Sequence, residues 1–184
     1  MLTSTQTSTT QQRYQTIEQK RAVLYRNLLK NPSDRRVRDA LLQLSSPQQI
    51  RQAARDGIFI SYARTDELFA LDLALDLRMT GLGTWLDALE VELAEDWKGS
   101  VADAMGRCGL MLAVMTPSSI AESHTRDERH NFMLRGKIAL PVVYRDDAKD
   151  PLNAVPPVDF RYNYRFGLQT LMRLLDPKPI GVRG

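Results

Sequence analysis

The sequence predicts an α/β domain, a parallel sheet buried between helices, preceded by a small α-helical region. Three observations lead there. The runs 58–62, 109–115 and 138–144 are dominated by apolar residues instead of alternating, which requires strands covered on both faces. Segments with helical spacing separate these runs, and strand–helix alternation is the pattern of parallel crossovers. The 184 residues are 43% hydrophobic and 26% charged, a globular balance, and no run of eighteen apolar residues offers a membrane span.

The elements follow in order. Residues 1–13 are rich in Thr, Ser and Gln and read as a flexible tail. Tyr14, Ile17, Arg21, Leu24 and Leu28 recur at helical spacing, and Asn31-Pro32 ends that helix. Ser33 or Asp34 caps a second helix bearing Val37, Leu41, Leu42 and Leu44. Ser46-Pro47-Gln48-Gln49 offers an N-cap, a proline at the first helical position and a capping-box glutamine. These helices make up residues 14–56, and their leucine stripe is too apolar to stay solvated. It predicts packing on the following domain or on neighbouring chains.

The domain itself is placed at 57–184. Ile58 to Tyr62 forms the first strand, and Thr65-Asp66-Glu67 caps a helix to Met79. Thr84 to Leu86 is a brief strand, 87–96 a loop, and Trp97 to Met105 a helix. Gly109 to Met115 is a central strand, Thr116 to Ser119 a turn, and Ser123, read as an N-cap, starts a helix to Leu134 that Gly136 closes. Ile138 to Tyr144 is a strand, 145–157 a loop, Val158 to Phe160 an edge strand and Leu168 to Leu175 the last helix.

Charge is uneven. Residues 1–56 carry ten basic and four acidic residues, net +6, whereas 57–184 carry fifteen and eighteen, net −3. The basic region lacks four adjacent Lys/Arg and is poor in aromatics, which favours solvated helices, or docking on acidic neighbours, over nucleic acid. A single cysteine, Cys108, and an N-terminus without a signal-peptide pattern lead to the expectation of a reducing cytoplasm and no membrane partner.

Several chemistries find no support. There is no GxxxxGK[ST] loop and no GxGxxG after the first strand. The third strand ends in Met115-Thr116-Pro117, without the acid a phosphorylated receiver needs. His124 and His130 fall on different helix faces, so no metal site is expected. Cys108 reads as a small core residue.

The remaining pattern carries a resemblance. Ile58-Phe59-Ile60-Ser61-Tyr62-Ala63-Arg64-Thr65-Asp66 resembles the opening strand and turn of TIR (Toll/interleukin-1 receptor) domains. Gly83-Thr84-Trp85-Leu86-Asp87, Trp97, the stretch Leu112 to Ser119, Glu128 and Gly136 to Val143 follow in the family's order. The tail Val158-Asp159-Phe160 before a closing helix is similar to bacterial TIR proteins. The resemblance covers about 57–175 and implies a flavodoxin-like fold with a parallel five-stranded sheet and helices on both faces.

It also implies an activity. Many bacterial and plant TIR domains cleave the nicotinamide–ribose bond of NAD, which is substrate and not cofactor, and serve as defence or signalling effectors when self-assembled. The carboxylate that supports the cationic ribose corresponds to Glu128. The alternative is a scaffold that assembles with TIR domains and cleaves nothing. Ser61, Tyr62 and Arg64 follow a strand's C-terminal end, where open α/β sheets bind ligands. Arg64 is read either as a phosphate partner or as a solvated cation. Trp85 is read as a base-stacking ring or a core residue, and Asp87 as a ribose ligand or a loop cap. Two departures stand out: His124 replaces the tryptophan often found four residues before the glutamate, and Leu93-Ala94 replaces a glycine-bearing loop.

Overall fold

The computed structural model describes residues 4–90, 97–145 and 152–175. The N-terminal region holds α1 (Ser4–Lys30), α2 (Arg35–Gln43) and α3 (Pro47–Arg55). There follow β1 (Ile58–Ser61), a 3-10 turn (Arg64–Asp66), α4 (Glu67–Met79), β2 (Thr84–Trp85), α5 (Asp87–Glu90) and α6 (Trp97–Arg107). The rest is β3 (Leu110–Met115), α7 (Pro117–Ala121), α8 (Ser123–Leu134), β4 (Ile138–Val143), β5 (Val158–Asp159) and α9 (Tyr164–Leu175).

The strands form one five-stranded sheet in the order β2-β1-β3-β4-β5, every described pairing parallel. Side chains alternate across it as strand geometry requires. Ile58, Ile60, Leu110, Leu112, Val114, Leu140 and Val142 pack with α3, α4 and α9. Phe59, Met111, Ala113, Met115 and Val143 pack on the other face with α6, α8 and Tyr25 of α1. This is the flavodoxin-like, doubly covered sheet expected from the two-faced apolar runs.

The N-terminal helices are built into the domain. Tyr25 and Leu28 of α1 are buried, as are Ile50 and Ala54 of α3. Arg21 holds the junction: its Nε donates to the Gly136 carbonyl at 2.5 Å and a terminal nitrogen donates to the Leu44 carbonyl at 2.9 Å. Both acceptors lie at helix C-termini, where a cation also meets the favourable end of the dipole. Gly136 has φ +79°, and a Cβ there would run into the Glu18 carbonyl of α1. A Cβ on Gly109 would likewise meet the Ala53 carbonyl of α3. The apolar stripe of the first helix is therefore covered largely by the chain's own domain.

Several expectations change in detail. α1 begins at Ser4, upstream of Tyr14, through polar residues that carry no periodic apolar signal. Asp34 is the N-cap of α2, accepting from the backbone N–H of Arg36 and Val37. The segment after β2 opens as the short helix α5, not a loop, its turn closed by the Leu89 and Glu90 N–H groups on the Leu86 carbonyl. Leu93-Ala94 lies outside the described residues. Thr116 to Ser119 is the capped start of α7 rather than a free turn. α9 starts at Tyr164 because the Asn163 side chain accepts from the Phe166 N–H at 3.1 Å.

Candidate active site

All strands point the same way, so Ser61, the end of β2 and the end of β3 share one edge of the sheet. α8 crosses the face of β1, β3 and β4 and brings Glu128 to that edge. Ser61, last residue of β1, donates its hydroxyl to Glu128 Oε2 at 2.6 Å. Phe59 and Ser61 are two apart on one strand face, so the same alternation that buries Phe59 aims Ser61 at α8.

Glu128 lines a shallow open cleft together with Phe59, Ile60, Tyr62, Trp85, Asp87, Val101 and His124. Its upper wall is a polar pair: the Tyr62 hydroxyl donates to Asp87 Oδ1 at 2.6 Å. Burial and the Asp87 carboxylate push the Tyr62 phenol well above its usual range, so it stays a neutral donor. Trp85 stacks on Phe59 with centroids 4.9 Å apart and planes 12° from parallel. It is half-buried, with one side held by the core while the ring still borders the cleft.

Burial raises the pKa of Glu128, the nearby Asp87 charge adds to that, and the Ser61 hydrogen bond and His124 oppose it. Glu128 is thus a half-buried carboxylate with one strong donor, in a cleft with an aromatic wall. His124 lies one helical turn before Glu128, is largely exposed, and stands 3.3 Å from Glu122 Oε2 through its Nε2. It borders the cleft as an edge, not as the flat wall a tryptophan would make.

Six of the seven residues singled out from the sequence thus converge: Glu128, Ser61, Tyr62, Trp85, Asp87 and His124. Arg64 does not join them; it is exposed on the 3-10 turn and stands outside the cleft lining. Asp87 is the first residue of α5, and its side chain faces the cleft. Phe59, Ile60 and Val101 were not anticipated as lining residues. The period-two relation of Phe59 to Ser61 was the available signal.

A buried polar relay behind the site also went unread. Asp66 is 2% exposed and, in place of capping α4, accepts from Thr116 Oγ1 at 2.6 Å. Thr116 and Ser119 then satisfy each other in a capping box. The Thr125 hydroxyl of α8 donates to the Ser119 carbonyl, and Arg129 donates to the same oxygen at 3.4 Å. Ser123 is the first residue of α8 and not its cap; Glu122 occupies the cap position without a side-chain bond. The start of α8, and with it His124 and Glu128, is fastened to the ends of β1 and β3 through this relay.

The sequence matches the TIR domain family over residues 58–175, and the chain belongs to that family. In structure it is similar to the crystal structure of the TIR domain of the Toll-related receptor TRR-2 from Hydra magnipapillata, with a TM-score of 0.56 and 18% identity. That similarity covers 66% of this chain and 98% of the Hydra chain, and it bears on the fold. No curated protein matches the chain in sequence. Among the described residues no helix is long and apolar enough to cross a membrane.

Proposed function

We propose that this TIR domain is an NAD glycohydrolase in which Glu128 is the catalytic carboxylate. The observation that carries the reading is the 2.6 Å Ser61–Glu128 contact at the edge of a cleft walled by Trp85, Tyr62 and Asp87. Cleavage breaks the bond between the nicotinamide nitrogen and the ribose anomeric carbon. The bonding pair leaves with the nicotinamide, which departs neutral, and the ribose becomes oxocarbenium-like. An ionised Glu128 beside the ribose stabilises that charge and holds its hydroxyls. Water adds to give ADP-ribose and a proton, or an adenine nitrogen of the same molecule adds to give a cyclic isomer. Trp85 offers a face for the nicotinamide ring, and Asp87 accepts from a ribose hydroxyl. The cleft is shallow and open, so on this reading it receives only the reacting end of the dinucleotide. The remaining half of NAD then lies along the open edge, where Arg64 is free to meet phosphate.

On this reading NAD is substrate, no cofactor or metal is required, and the chain acts in the cytoplasm as a bacterial defence or signalling effector. TIR domains commonly self-associate, so partners are further copies through the TIR domain and the N-terminal helices, or other TIR proteins. The test is nicotinamide release from NAD by purified full chain at high protein concentration. Release above a no-protein blank supports the reading; none at saturating NAD from demonstrably assembled protein refutes it. A non-catalytic scaffold is the second reading, favoured by His124 where a flat aromatic wall would serve the nicotinamide better, and it takes over on that negative result.

A further inference from the structure

The sequence of α4, ELFALDLALDLRM, is apolar on nearly all sides. Such a helix belongs where both of its faces are covered. Among the described residues only one is. Phe69, Ala70, Leu73, Ala74 and Leu77 are buried against the sheet, while Leu68, Leu75 and Met79 are 80%, 49% and 85% exposed. These three are spaced by seven and four residues and so form one outward stripe. The exposed Asp72 sits inside it, one turn after Leu68. Large apolar side chains grouped this way mark a contact surface.

A second surface, basic and partly apolar, is found on the other side of the molecule. α4 covers the sheet face shared with α3 and α9, whereas α1 lies over the face shared with α6 and α8. The outward side of α1 exposes Val23 with Arg26 and Lys30, and α2 exposes Leu42 with Arg35 and Arg36, with Asp39 as an exposed acid. Residues 1–56 carry net +6 against −3 for the rest.

We propose that the α4 stripe of one copy docks on the basic α1–α2 surface of the next. Apolar side chains meet apolar ones, and Asp72 meets the arginines. Complementary fields of this kind fix register and exclude the reverse pairing. The two surfaces differ and lie on opposite faces of the sheet. The contact is therefore heterologous, and repeating it stacks copies head to tail without an intrinsic stop at two. The proposal extends the assembly named above to a surface, and it holds whether or not the domain cleaves NAD.

Sedimentation velocity on the full chain tests it without NAD, so its outcome is independent of the catalytic reading. The expected result is average mass rising with concentration beyond a dimer, and less so at about 0.5 M salt, where the screening length falls to a few ångströms. Leu68→Ser and Met79→Ser each remove a side chain already in solvent in the monomer, so melting temperatures stay near wild type while association weakens about tenfold. Asp72→Arg weakens it similarly, as does Arg26→Asp, and the double variant Asp72→Arg/Arg26→Asp recovers association. A mass that stays monomeric at every concentration, or stops at a dimer, overturns the proposal. So does association that ignores all four substitutions, or a double variant no better than its singles.

Discussion

Replacing Glu128 by glutamine separates charge from shape at the centre of the site. The amide oxygen occupies the place of Oε2 and still accepts from Ser61, so the 2.6 Å contact has a successor. That bond weakens by about 1 kcal/mol, the difference between charge-assisted and neutral hydrogen bonds. Burial works the other way, and it is the larger influence, since the net shift of the Glu128 pKa is upward. An acid whose pKa is raised on folding holds its proton more tightly in the native state than in the unfolded one. Its contribution to stability is then lost as pH rises from the unfolded value through the raised one. Glu128→Gln is therefore expected to be somewhat more stable than wild type at neutral pH. Below the ordinary glutamate range, where both forms are neutral, that advantage disappears.

Activity moves in the opposite direction. Removing one preorganised electrostatic contact to a charged transition state costs about 10²–10³ in rate. The assay pairs nicotinamide release with thermal melting across pH. Loss of cleavage with equal or raised melting temperature is the predicted result. A variant that cleaves like wild type would show that another carboxylate does the work, Glu122 being the next to test. A variant that loses activity by unfolding would refute the stability argument.

Other expectations are independent of that variant. Because Glu128 acts ionised and its pKa is raised, kcat/KM is expected to fall on the acid side through a value above the ordinary glutamate range; a limb at or below that range contradicts the assignment. His124→Trp restores a flat wall beside the cleft and is expected to keep or raise nicotinamide release, whereas a drop would give the imidazole a role of its own. Gly136→Ala places a Cβ against the Glu18 carbonyl at φ +79° and is expected to destabilise by about 2 kcal/mol or more, read by denaturant unfolding. A smaller effect would mean that α1 yields easily. Leu28→Ala, at a fully buried position on α1, is expected to cost about 2–5 kcal/mol, and unchanged stability would contradict the burial of that face of the helix.

Much of this was legible before any coordinates. Uniformly apolar runs located the central strands because burial on both faces removes the alternation that other strands show. Ser61 and Glu128 were both singled out, yet nothing in the chain says that residues 67 positions apart form a hydrogen bond. That contact depends on how α8 crosses β1, a tertiary fact. Asp66 shows the limit most clearly. Local chemistry reads Thr65-Asp66-Glu67 as a helix start, and the helix does begin there, but the carboxylate takes a distant partner in Thr116. A buried acid is better satisfied by a hydroxyl at 2.6 Å than by a frayed cap, and only the packed sheet brings that hydroxyl near. The position of Arg64 outside the cleft lining was not legible for a similar reason. Sequence adjacency to Ser61 puts it on the same edge, but the 3-10 turn carries it outward.

The central claim is that Glu128 faces the ribose of NAD. A structure of the assembled chain with a non-hydrolysable NAD analogue tests it most directly. The account predicts the nicotinamide against Trp85 and the ribose hydroxyls within hydrogen-bond distance, about 2.5–3.2 Å, of the Glu128 and Asp87 carboxylates. An analogue bound elsewhere, or bound in the cleft with its ribose turned away from Glu128, would contradict it.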